Sequence, residues 1–71
     1  MSSTEARKKI VQRMARYGMT PAMCEGKSAD MLLGIAAMTS AHRRYRGVMG
    51  ADELILLGEL EEIVAEIKRT N

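Results

Sequence analysis

His42 and Cys24 are the side chains here best suited to chemistry near neutral pH, and each residue type occurs once in 71 residues. A hydrolytic triad needs a histidine oriented by a carboxylate and set against a nucleophile. His42 instead opens the run His42-Arg43-Arg44-Tyr45-Arg46, where positive charge disfavours the imidazolium and no nucleophile is adjacent. It reads as a surface or interface histidine. Cys24 follows Thr20-Pro21 by one short turn, where helix-end amides could lower a thiol pKa. Free cysteine is among the most buried residue types, so the favoured reading is a structural thiol. One Cys and one His make neither a zinc ligand set nor an internal disulfide.

The carboxylates and glycines lead to the same place. Glu59, Glu61, Glu62 and Glu66 fall on one helical segment, which suits a solvated face better than an acid–base pair. Gly26-Lys27-Ser28 looks like the end of a phosphate-binding loop, but the first glycine of that motif would fall where Pro21 stands. No strand precedes it either. Nucleotide hydrolysis is set aside, leaving the weaker idea that Lys27 and the amides after Ser28 hold a single anion. No catalytic residue, metal or cofactor is expected, and binding is the chemistry to look for.

Two basic groups could contact phosphates. Lys8, Lys9, Arg13 and Arg16 form a ridge, and Arg43, Arg44 and Arg46 a second cluster. A helix-turn-helix drawn through Pro21–Glu25 and Ser28–Arg46 fits poorly. Its recognition helix would present Ser28, Ala29, Asp30 and Met31 to the bases, with an acid in the groove. Single-strand binding wants stacking aromatics, and only Tyr17 and Tyr45 exist. The competing reading is a solvated basic face, partly paired with an acidic tail. Residues 1–49 hold nine Lys/Arg against three Asp/Glu, a charge of +6, while residues 50–71 hold two against six, −4.

These groups must be carried by helices. Ser2 and Glu5 have capping-box spacing, and Ala6, Ile10, Val11, Met14 and Tyr17 then recur on one face until Gly18. Thr20-Pro21 opens a short helix or turn that Gly26 closes. Ser28 caps the next helix, with Asp30 in its first turn and a basic last turn stopped by Gly47. That helix is apolar almost all round (Met31, Leu32, Leu33, Ile35, Ala36, Ala37, Met38, Ala41), so the expectation is a central helix buried on every side. Gly50 or Asp52 opens the last helix, whose stripe is Leu56, Leu57, Leu60, Ile63, Val64 and Ile67. Leu54 and Ile55 point off that stripe, more than about 100° from its middle. No run alternates with period two, so no strand is expected.

The pattern predicts one all-α domain, a compact bundle of three main helices (3–18, 29–46 and 51–69) plus a short helix or turn at 21–25. With 46% hydrophobic residues but neither Phe nor Trp, its core is Leu, Ile, Val, Ala and Met. A core this small rarely supplies more than roughly 3–5 kcal/mol, and no staple is on hand, so dimerisation is expected to complete it. Leu54, Ile55, Leu57, Met38 and Tyr45 are the candidate dimer or partner interface. The candidate nucleic-acid or anion contacts are Lys9, Arg13, Arg16, Lys27, Arg43, Arg44 and Arg46. A lone thiol without a secretory segment, and no run near the length of a membrane span, points to a cytoplasmic protein. The expected function is a homodimeric accessory protein that binds and modulates a partner protein. The alternative is a nucleic-acid-binding regulator.

Overall fold

Capping and helical periodicity place the elements close to where the sequence predicts them. The computed structural model describes residues 3–48 and 50–70, so the expected capping role of Ser2 lies outside the described residues. Helix α1 (Ser3–Met14) continues into a 3-10 turn at Ala15–Tyr17, and Gly18 ends it in the left-handed region, φ +80°. L-residues with a Cβ rarely adopt that φ, so glycine is suited to the stop. Helix α2 (Pro21–Cys24) is capped by Thr20, whose hydroxyl accepts from the Met23 amide at 3.3 Å, with proline at the first position. Helix α3 (Ala29–Tyr45) is capped by Ser28, whose Oγ accepts from the Met31 amide at 3.1 Å. Gly47, φ +73°, turns the chain toward α4 (Ala51–Thr70). Every regular element among the described residues is helical.

The core is built from one stripe of each long helix. Ala6, Ile10, Met14 and Tyr17 come from α1 and its 3-10 extension, Leu32 and Ala36 from α3, and Leu60 and Val64 from α4; Met19 and Cys24 close one end. Val11, Leu56, Leu57, Ile63 and Ile67 are half-buried around it. Burying each large aliphatic chain contributes about 1.5–3 kcal/mol. These side chains therefore decide the packing.

The central position goes to a different helix from the one expected. Helix α4 packs along both α1 and α3, while α1 and α3 meet over a shorter stretch. Helix α3, expected to be covered all round, is buried only along Leu32, Ala36 and Ser40. The reason is geometric: two neighbouring helices on one side of a third cannot cover its far side.

Candidate interaction surface

That far side of α3 is the most unusual surface of the molecule. Met31 is 54% exposed, Met38 75% and Tyr45 90%. Gly34 and Ala41 are exposed between them. The five positions are spaced three, four, three and four apart along the helix. At about 100° per residue they stay within about 60° of Met38. This is the spacing of the a and d positions of a helix–helix seam. Nothing lies within 4 Å of where a Cβ on Gly34 would sit, so no contact inside the chain calls for a glycine there.

A groove of about 130 Å³ runs along one flank of this face, lined by Ala37, Ser40, Ala41 and Arg44 of α3 and by Leu54 and Leu57 of α4. Ser40 at its base is 2% exposed, and its hydroxyl has no hydrogen-bond partner among the described residues. Leu54 (49% exposed) thus joins the α3 surface, as do Met38, Tyr45 and the half-buried Leu57. Ile55 (61% exposed) does not: it lines a separate cleft with Arg16, Asp52, Leu56 and Glu59 on the side facing α1. Residues 54 and 55 are about 100° apart on a helix, and the structure turns one toward α3 and the other toward the end of α1.

The basic residues divide into two sets. Arg13 Nε reaches Glu59 Oε2 at 3.1 Å, joining the ridge of α1 to the acidic helix, and its Nη1 donates to the Lys9 carbonyl. Arg43 is the better anchored. It donates to Glu53 Oε1 at 2.8 Å and to the Arg16 carbonyl at 3.2 Å, and its guanidinium lies 5.6 Å from the centre of the Tyr17 ring. One side chain thereby fastens α3 to α4 and to the end of α1. Lys27 turns its ammonium onto the Met23 carbonyl at 2.9 Å, capping α2, and the Ser28 hydroxyl is taken by the Met31 amide. Of the groups expected to hold an anion, Lys27 and the Met31 amide thus have contacts within the chain. Lys9, Arg16, Arg44 and Arg46 are exposed.

The remaining titratable groups are peripheral or enclosed. Glu66, hydrogen-bonded to Arg69, has its carboxyl held below the ordinary range by that guanidinium. Asp30 pairs with Lys68 at 2.9 Å on the surface. Cys24 is buried, and its carbonyl accepts from Arg7 Nη2 at 3.0 Å. Among the described residues no three His, Cys, Asp or Glu side chains lie close enough to hold a metal ion, and no helix is long and apolar enough to cross a membrane. No protein-family model, curated protein or solved structure matches the chain.

The sequence reading named Met38, Tyr45 and Leu54 but missed the seam. In the sequence Met31 and Ala41 look like core residues and Gly34 carries no apolar signal, although their spacing with Met38 and Tyr45 is plain. The missing ingredient was which side of α3 the other helices would cover.

Proposed function

We propose that the chain is a small helical protein-binding module that works as a homodimer and modulates a partner protein. The observation carrying this reading is the outward face of α3, a mainly apolar surface that the other described helices leave open. Contiguous exposed apolar surface of this kind marks association sites in soluble proteins. The Ile55 cleft, about 200 Å³ and on the other side of α4, supplies a second surface once α3 is occupied. Nucleic-acid binding is less favoured, because Arg13 and Arg43 are committed to Glu59 and Glu53 within the chain. Its phosphate footprint shrinks accordingly.

Sedimentation velocity across the micromolar range tests the first half of the reading. A concentration-dependent dimer is expected, and a monomer at every concentration would refute it. The second half is tested by retention on immobilised protein from the native host at physiological salt, followed by titration of the recovered polypeptide. Saturable binding, weakened by Ile55→Glu, is the expected result. Recovery of nucleic acid in its place, released steeply by salt, would favour the alternative.

A further inference from the structure

We propose that the seam Met31-Gly34-Met38-Ala41-Tyr45 is where two copies of this chain meet, with α3 packed on α3 in antiparallel order about a two-fold axis near Met38. The proposal rests on the dimer reading above and supplies its surface and its orientation.

Three observations point to a second copy as the occupant. The first is the seam's period. Apolar residues three and four apart suit another helix laid lengthwise, whose side chains enter the holes between them. The second is size. Gly34 is exposed mid-helix, where glycine is the least favourable residue after proline, and open space surrounds it in the chain. Gly34 and Ala41 lower the surface on either side of Met38, so a second backbone can come close.

The third observation is charge, and it fixes the direction. Asp30 and Arg44 lie on the same flank of the seam, 14 residues apart and both exposed. At about 1.5 Å per residue they are some 20 Å apart along the axis, on either side of Ala37 and Met38. Antiparallel packing sets Asp30 of each copy beside Arg44 of the other, so the pair forms twice, and it also opposes the helix dipoles. Parallel two-fold packing would place the two copies of Asp30 at one level on opposite flanks of the seam, and the two copies of Arg44 likewise, so neither would meet its opposite charge. Among the described residues Asp30 makes the surface pair with Lys68, a weak competitor. The groove beside Ala37 and Ala41 lies on this same flank and extends the patch to Leu54.

The test uses the full chain, sedimentation equilibrium and circular dichroism. Gly34→Leu adds bulk where nothing in the chain is displaced, so helicity should be kept while the dimer constant weakens at least tenfold. Wild-type dimerisation that Gly34→Leu leaves unchanged would overturn the proposed surface while leaving the dimer reading intact. A wild type that never dimerises would overturn both. For orientation, Asp30→Arg alone and Arg44→Asp alone should each weaken self-association by about tenfold, since like charges then meet twice. Mixing the two variants should restore it, because each mixed pair again matches opposite charges. If neither variant is affected and mixing changes nothing, the antiparallel order is wrong.

Discussion

On one side of α3, Leu32, Ala36 and Ser40 are sealed by α1 and α4; on the other, Met31, Met38 and Tyr45 meet solvent. Both sides are dominated by apolar or small residues. The inward side holds a small, close-fitting set at positions four apart, which lets α4 approach. The outward side alternates long and small residues with a coiled-coil period. The inward pattern fits a partner inside the chain, and the outward one is the surface proposed to meet a second copy. The same helix therefore contributes to stability through one face and is available for recognition through the other.

Truncations should separate the faces most sharply. Leu32→Ala should cost about 2–5 kcal/mol in a urea unfolding curve, since it empties a fully buried site. Met38→Ala should change the monomer's stability by no more than about 0.5 kcal/mol, as an exposed site does. An equal cost at both positions would mean that the outward face is packed within the chain.

The two cross-helix arginines offer the next contrast. Arg43→Ala removes two hydrogen bonds and the Tyr17 contact, and strands Glu53, whose Oε2 is already buried without a partner among the described residues. A loss of about 1–3 kcal/mol is expected. Arg13→Ala breaks a more open pair with Glu59 and should cost about 0–1 kcal/mol. The comparison fails if Arg13 proves the more costly of the two.

Ser40 makes the inward face testable in the opposite direction. Its hydroxyl is buried beneath the groove without a hydrogen-bond partner among the described residues, and alanine is the better helix former. Ser40→Ala should stabilise the chain by about 0.5–1 kcal/mol in the same unfolding assay. Destabilisation would show that the hydroxyl has an acceptor in solution.

The smallest effect belongs to Glu66. Its hydrogen bond to Arg69 lowers the folded-state pKa, so its contribution is present in full above the ordinary carboxylate range. It is lost as pH falls through the lower, folded-state value. Glu66→Gln should remove a barely measurable part of the acid sensitivity, because the pair is solvent-exposed. A large change in the acid midpoint would require a stronger partner for Glu66.

The elements were legible because their signals are local. Ser28, Thr20-Pro21, Gly18 and Gly47 each mark a helix end by side-chain or backbone chemistry that needs no knowledge of the fold. The core stripes of α1 and α4 were legible for a similar reason, since each gathers most of its helix's apolar residues on one side. Helix α3 was not, because a helix apolar all round does not say which side its own chain will cover. Leu54 and Ile55 both leave the stripe of α4 and look like one patch in the sequence, although a step of one residue is enough to send them to different flanks. The inward role of Arg43 was hidden within a basic run whose neighbours, Arg44 and Arg46, do face outward.

Oxidative cross-linking at the two-fold tests the central claim most directly. Met38→Cys places a thiol at the middle of the seam, where an antiparallel α3 pair brings the two Cα atoms within the roughly 7 Å a disulfide can span. Cys24 is buried and serves as an internal bystander, and Ile55→Cys is an exposed control on the far side of α4. Under mild oxidation Met38→Cys should accumulate a covalent dimer well ahead of Ile55→Cys, with its helicity unchanged. Equal rates for the two variants, or a Met38→Cys protein that stays monomeric, would contradict the account.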